Sequence, residues 1–513
     1  MTRYHGLLKK QPRTKDHTFE QIYAALDGMG ASIKKAEDGP LAHIAFEFKD
    51  KLPSELVARF QVVGPIQPRS IPKPPTTAFL GGLSRRLGKD ITVSMKQSLP
   101  KIGMDKVWAD PEWDGGSTLI LGINDTGIDD YYSTLYFDNR IIEHHKEPWI
   151  IGNYKHYHAR NVAAIFARNN KNGYRGICDK ARIYDGQSLN EEGYGDSASV
   201  VGEFNWMGSR NPLPDAISCS LGGPHDPVED EAVRRLWEMG IVVCCATGNS
   251  GGFPPPCDGS LNCPADAPEA ICVGATSGGH EEPNDPIEYF QAWSSRIPDW
   301  EGKIQKHYVV APGLQILVDD GESPHSGTSV GQPHALGTIG VIIFFLKRYH
   351  PEFNQVQRAI AARSILEKSC KDLGYASSGH YTPEEAYCIQ GHGRVQADVA
   401  KDMAKKGAEP EPSKIDKVEL YVDSEKVDEV TTPSDTDTFS FSKVLDPGDH
   451  LWKGKAYSGD LTPVDTETFR IRVVKATPVK KIVASIKGPS DNTEVSEGTK
   501  IPFQVLAKVV EGT

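Results

Sequence analysis

The chain has 513 residues, more than one core usually holds, so two to four domains are expected. Its 69 acidic against 57 basic residues give a formal net charge of -12, and no dense basic run interrupts it, which argues against nucleic acid as a partner. Nine cysteines, an odd number, leave at least one thiol outside any internal disulfide.

Residues 1–15 are polar and lack the apolar core of a secretory signal. Thr18 with Gln21 forms a capping box ahead of a predicted helix over 19–26, stopped by Gly28 and Gly30. Ala42, Ile44, Phe46 and Phe48 alternate with His43, Ala45 and Glu47, which is strand periodicity, and a second short helix fits 54–60. Residues 1–64 thus read as a small α+β domain. Pro68, Pro72, Pro74 and Pro75 with Gly81 and Gly82 make 65–93 a predicted linker, on which Arg85 and Arg86 form a dibasic pair of a kind common on solvated linkers.

Residues 94–404 alternate strand and helix patterns, which predicts a largely parallel sheet with helices on both faces, an α/β fold. Leu119, Ile120, Leu121 and Ile123 form a strand that delivers Asp125 to its carboxyl end, where open α/β sheets place their ligands. His158 precedes Val162, Ala163, Ile165 and Phe166 at helical spacing, so its imidazole sits in a first turn. Ser329 opens a long helix ending near Arg348. Its apolar run, 335–346, is too short and too broken by Gly337, Thr338 and Gly340 to span a bilayer, so a buried, non-transmembrane helix is expected. Cys219, Cys244, Cys245 and Cys272 lie in apolar strand-like runs and read as small core hydrophobes. Cys257 with Cys263, and Cys370 with Cys388, bracket polar stretches that a disulfide could close in an oxidising compartment.

Three blocks in order, GINDTGI (122–128), HARNVA (158–163) and SGTSVGQPH (326–334), supply a carboxylate, an imidazole and a hydroxyl. A serine hydroxyl is a weak nucleophile until an imidazole takes its proton and a carboxylate holds that imidazole in the right tautomer. The blocks closely resemble those of the subtilisin-like serine proteases, D[ST]G, HGTHVAG and GTSMAAPH. SCSLGGP (218–224) is similar to that family's substrate-binding SLGGP strand and ATGNSG (246–251) to its AAGN oxyanion segment. ICVGA (271–275), WSS (293–295) and APG (311–313) fall where the family has ITVGA, FSS and APG, and IQGHGRV (389–395) resembles its closing turn.

The resemblance, over roughly 94–403, implies a serine endopeptidase acting on protein or peptide substrates. Ser329 would be the nucleophile, His158 the base and Asp125 its orienting carboxylate. Asn249 and the Ser329 amide would hold the oxyanion, with Ser220, Leu221, Gly222 and Gly248 along the substrate. It also makes 1–64 similar to a propeptide. No cofactor is needed for such chemistry. Subtilisins often hold structural calcium in the loop after the catalytic-His helix, here 168–173, where Asn169, Asn170 and Asn172 offer oxygen ligands but the family's carboxylate has no counterpart.

Ala159, Arg160, Asn161 and Ala164 replace the family's Gly, Thr, His and Gly, and Val330, Gly331 and Gln332 replace Met, Ala and Ala. Arg160, beside the base, could contact substrate, pair with a carboxylate or disturb the imidazole. A catalytically weak or inactive binding protein is therefore the alternative from another class. GTSVG (327–331) also satisfies the GxSxG elbow of esterases. There, however, the Asp and His follow the serine, and Asp372, His380 and His392 lack matching contexts.

After a charged linker, 405–413, the periodicity becomes two: Val418, Leu420 and Val422, then Phe439 and Phe441, then Phe469, Ile471 and Val473, with a turn signal at 446–449. Residues 414–476 resemble bacterial Ig-like β-sandwich modules, whose role would be binding, spacing or surface attachment, or only a stabilising cap. This architecture favours an extracellular or cell-surface setting. Residues 477–513 read as the start of a second module. Two strands cannot bury a sandwich core, so either this tail pairs with the preceding module or the chain is a piece of something longer.

Overall fold

The computed structural model describes residues 2–8, 24, 26–27, 29, 31–37, 40–49, 52, 60–72, 93–148, 150, 156–252, 259–278, 288–297, 307–320, 322–379 and 381–407, and the backbone of strands between 417 and 511. The chain divides into two compact units, Met1–Ala408 and Glu409–Thr513.

The first unit opens with β1 (Thr2–Leu8), β2 (Ser32–Glu37), β3 (His43–Phe48) and β4 (Phe60–Pro65), an antiparallel sheet in the order β2-β3-β1-β4. Phe60, expected to end a helix, begins β4 instead. Its ring stacks on Phe46 at 6.1 Å, because a large aromatic is worth more on the buried sheet face than in a short solvated helix. Thr18, Gln21 and residues 53–59 lie outside the described residues.

There follow β5 (Pro68–Ser70), β6 (Val93–Ser94), β7 (Ile120–Asp125), β8 (Ile141–Lys146), β9 (Arg182–Gln187), β10 (Tyr194–Asp196), β11 (Ala216–Cys219), β12 (Val242–Ala246), β13 (Ile271–Thr276), β14 (His307–Pro312) and β15 (Ile316–Leu317). Seven of them form a parallel sheet in the order β14-β13-β12-β11-β7-β9-β8. β7, β11, β12, β13 and β14 are buried throughout, as expected of strands covered on both faces. One face carries the helices Tyr157–Ala167 and Thr328–Tyr349, the other Ser197–Gly208 and Pro227–Glu238. Thr328–Tyr349 is the only described helix long and apolar enough to cross a membrane, and it is buried inside this core.

The N-terminal sheet docks on the outer helices. Arg235, 1% exposed, donates from Nη1 to the Leu41 carbonyl and from Nη2 to the Leu8 carbonyl, both at 2.6 Å. Buried His5 Nε2 lies 2.9 Å from Asp226 Oδ2.

Neither expected disulfide closes. Cys263 and Cys370 are free thiols; Cys263 Sγ donates to Glu229 at 3.0 Å and Cys370 Sγ to the Leu366 carbonyl at 3.2 Å, so each sulfur is spent on a local acceptor. Cys219, Cys244, Cys245 and Cys272 are buried free thiols, as their apolar strands imply.

The second unit holds two antiparallel sheets. β16 (Lys417–Val422), β17 (Glu425–Val430), β19 (Gly448–Tyr457), β20 (Val464–Asp465) and β21 (Phe469–Val473) form one; β18 (Thr438–Lys443), β22 (Lys480–Lys487) and β23 (Gln504–Glu511) form the other. The tail therefore does not start a separate module. β22 takes β18 as its neighbour and satisfies that strand's edge groups.

Candidate active site

Asp125 ends β7 and is fully buried. Its Oδ1 accepts from the Thr126 amide at 2.7 Å, and its two oxygens lie 2.9 and 3.0 Å from His158 Nδ1. The Thr126 hydroxyl accepts from the Ala159 amide at 3.1 Å, so the residue after the carboxylate also anchors the helix that carries the imidazole. With Nδ1 donating to Asp125, Nε2 is left as the acceptor nitrogen. Nε2 has no hydrogen-bond partner among the described residues.

His158 and Ser329 line one cleft of about 530 Å³. Ser329 stands in the first turn of Thr328–Tyr349, behind Gly327. A Cβ at Gly327 would lie 3.0 Å from Ser329 Oγ and 3.3 Å from Asn249 Nδ2, so the missing methyl leaves the gap in which hydroxyl and amide converge. Asn249 Oδ1 accepts from the Thr328 amide at 2.9 Å and the Thr328 hydroxyl at 3.1 Å, which aims Nδ2 outward. Helix-start amides lack intrahelical acceptors, so Ser329 adds a second donor beside it.

Pro333, four residues beyond Ser329, has no N–H to return to the Ser329 carbonyl. The Ser220 hydroxyl donates to that carbonyl at 3.3 Å and to Gln332 Oε1 at 2.8 Å. Gln332 Oε1 also accepts from Ser218, and its Nε2 donates to the Cys244 carbonyl at 3.0 Å. Gln332, where the resemblance has Ala, thus ties the serine helix to β11 and β12. Its pairing with Ser218 and Ser220 was not legible from the sequence.

Of the residues expected along a substrate, Gly222 exchanges both backbone hydrogen bonds with Ser70, at 3.1 and 3.0 Å. Ser220 turns its hydroxyl inward and Leu221 is buried. Gly248, at φ +107°, spends its amide on Thr328 Oγ1 and its carbonyl on the Ser295 amide. Residues 66–72 are no loose linker: β5 lies between β10 and the Gly222 segment, and Ile71 and Pro72 reach the cleft. The Pro72 carbonyl accepts from Asn249 Nδ2 at 3.3 Å. Prolines suit such an added strand because it needs few ladder donors. Arg85 and Arg86 lie outside the described residues.

Arg160 pairs with Glu322 at 2.9 and 3.0 Å and lies 3.7 Å over the Tyr132 ring, so its charge is taken up away from the imidazole. Asn161 Nδ2 lies 2.7 Å from His325 Nε2, and His325 stacks on Tyr157. Burial, then the neighbouring His158 and Arg160, push His325 down to about 4, so it is a neutral wall of the cleft.

The loop expected to hold calcium fits that ion poorly. Asn169 alone in it offers a buried Oδ1 without a hydrogen-bond partner among the described residues; Asn170 is exposed, Asn172 is a turn residue at φ +55°, and the Lys171 ammonium, paired with Asp138, stands among them. Elsewhere His145, Glu147 and Glu203 gather ligand atoms within 4.8 Å of one another, with His145 Nδ1 3.0 Å from Glu203.

The subtilase family of peptidases (Peptidase S8) matches residues 116–381, more than half of the chain. Subtilisin amylosacchariticus of Bacillus subtilis subsp. amylosacchariticus and Subtilisin E of Bacillus subtilis (strain 168) are each 27% identical over 266 residues, 50% of this chain and 62% of their own length. Subtilisin Savinase of Lederbergia lenta is 26% identical over 248 residues, 47% of this chain and 77% of its own. The chain thus spans less than two thirds of the first two relatives.

Proposed function

We propose that this chain, which belongs to the subtilase family, is a serine endopeptidase that hydrolyses peptide bonds through an acyl-enzyme at Ser329. The observation that carries the reading is one constellation. A buried carboxylate orients His158, which lines one cleft with Ser329, and Asn249 Nδ2 donates to a backbone carbonyl at the cleft's edge.

Ser329 Oγ adds to the scissile carbonyl carbon as its proton passes to His158 Nε2. The oxygen, now negative, is held by Asn249 Nδ2 and the Ser329 amide. His158 returns the proton to the departing amine as the C–N bond breaks, leaving an ester on Ser329. A water, giving its proton to His158, then adds to the ester; the acid product leaves and the hydroxyl is restored. Asp125 keeps Nδ1–H fixed and stabilises the imidazolium at each transfer.

Residues 1–72 act in this account as an inhibitory N-terminal segment. Its support is the Ser70–Gly222 pairing, a strand-addition mode of peptide binding, together with the Pro72 carbonyl at Asn249. The bond after Pro72 is then the first one cut. No metal takes part in the chemistry, and the Arg160–Glu322 pair leaves the altered His block compatible with activity, against the inactive binding protein. The esterase alternative has no support among the described residues, since Asp372 is bonded to Gln390 and His392 faces Tyr387, and His380 lies outside them. The C-terminal sheets serve as a contact module for a protein or cell surface.

Intact-mass analysis of the purified chain over time tests the reading. It predicts a fragment ending at Pro72 from the parent and none from Ser329→Ala; identical fragmentation of both would contradict it.

A further inference from the structure

The strand that fills the cleft carries a feature the catalytic groups do not explain. Arg69, three residues before Pro72, points into the protein and its side chain is fully buried. Its Nε donates to Glu229 Oε1 at 2.8 Å, and Glu229 is fully buried too. Glu229 stands in the first turn of Pro227–Glu238, with Cys263 Sγ on its other oxygen at 3.0 Å and Asp226 beside it at the helix cap. Gly223 forms the near wall: a Cβ there would lie 2.7 Å from Arg69 Nη1 and 2.3 Å from the Pro68 carbonyl.

All of these walls belong to the subtilase region; the segment that leaves supplies the Arg69 guanidinium to Glu229 and the His5 imidazole to Asp226. Burial pushes the Glu229 carboxyl up, and the Arg69 guanidinium is the strongest influence pulling it back. Once the segment departs, an acid built into a desolvated slot has lost its counter-charge, a costly state unless a cation replaces it. A guanidinium on an extended peptide in the same register does so.

We infer that the slot formed by Glu229, Asp226, Cys263 and Gly223 is a specificity subsite for arginine at the fourth residue before the scissile bond, so that this protease selects substrates carrying a basic residue there. The inference rests on the endopeptidase reading. It adds a substrate class to it, because the position is otherwise defined only by backbone pairing. Glu229 is a binding residue here and touches no reacting atom. Only Nε reaches the carboxylate, so neutral citrulline, of nearly the same shape, keeps that N–H donor but loses the positive charge, whereas a lysine ammonium keeps the charge without the fixed donor geometry.

The test uses the full chain and a peptide with the sequence of residues 67–74, with versions carrying lysine, citrulline or leucine in place of the arginine. Cleavage after the second proline is followed by mass spectrometry, alongside fluorophosphonate labelling of Ser329. A charge-assisted buried hydrogen bond predicts kcat/KM about 10- to 100-fold higher for arginine than for citrulline, with lysine between them. In Glu229→Gln that ratio falls towards one, whatever the variant's absolute rate. Labelled Ser329 with equal cleavage of the arginine and citrulline peptides by the parent chain would overturn the subsite and leave the protease standing. No labelling and no cleavage of any peptide would overturn the protease reading and the subsite with it. The parent's own peptide series decides the matter even where Glu229→Gln does not fold.

Discussion

Replacing Asn249 by Asp separates two roles that one side chain performs. Oδ1 accepts from the Thr328 amide and hydroxyl at 2.9 and 3.1 Å, while Nδ2 donates to the carbonyl at the cleft, 3.3 Å away. Asp keeps the acceptor, and its charge at the start of a 22-residue helix is favourable. It loses the donor and sets a negative oxygen where the oxyanion must form. Loss of one oxyanion donor costs about 2.7–4 kcal/mol, or 10²–10³ in kcat. Asn249→Asp is therefore expected to lose at least about a hundredfold in kcat while its denaturation midpoint stays equal to or above the parent's. Asn249→Ala, which also abandons two acceptor bonds of about 1 kcal/mol each, loses similar activity and unfolds earlier. Peptide kinetics and urea titration of the three proteins check this. An Asp variant within about threefold of the parent's kcat would refute the oxyanion role.

Asp125→Asn should lower kcat by roughly 10⁴ with KM little changed, since an amide lets His158 adopt the wrong tautomer; matched circular dichroism with unchanged kcat would rule that out. His334, fully buried with Nδ1 3.0 Å from the Val330 carbonyl and Nε2 3.0 Å from Ser98 Oγ, is pushed down to about 4 by burial. Its folded pKa lies below the unfolded value near 6.5, so the unfolded chain takes the proton first. This contribution is complete above about 6.5 and is lost as pH falls towards 4, roughly 3 kcal/mol in all. Urea midpoints at pH 7 and 5 should show the fall, and His334→Gln should lessen it. Arg235→Met leaves the Leu8 and Leu41 carbonyls without the guanidinium that donates to them, which should weaken docking of the N-terminal sheet by about 2–4 kcal/mol. Limited proteolysis should then attack β1 and β3 sooner; unchanged protection would contradict the tether.

The sequence carries the catalytic constellation because its residues sit in local contexts that chemistry constrains: an apolar strand before Asp125, a helix start at His158, and a glycine before Ser329. What it hides is decided by distant partners. β1 has no apolar alternation, with only Leu7 and Leu8 as aliphatic side chains at its end, and it becomes a central strand because β3 and β4 pair with both its edges. β5 reads as a Pro-rich linker until β10 and Gly222 pair with it. Arg160 is ambiguous until Glu322, 162 residues away, takes its charge. Cys263 looks like half of a disulfide until Glu229 claims its thiol. β22 appears to open a new module until β18, in the preceding one, turns out to need an edge partner.

The most direct test of the account is the reaction of the full chain with a fluorophosphonate, with the adduct mapped by peptide mass spectrometry. The account predicts one adduct, on Ser329, growing as the fragment ending at Pro72 is released, and neither event in His158→Ala. Absence of any Ser329 adduct in chain from which the N-terminal fragment has been lost would contradict it.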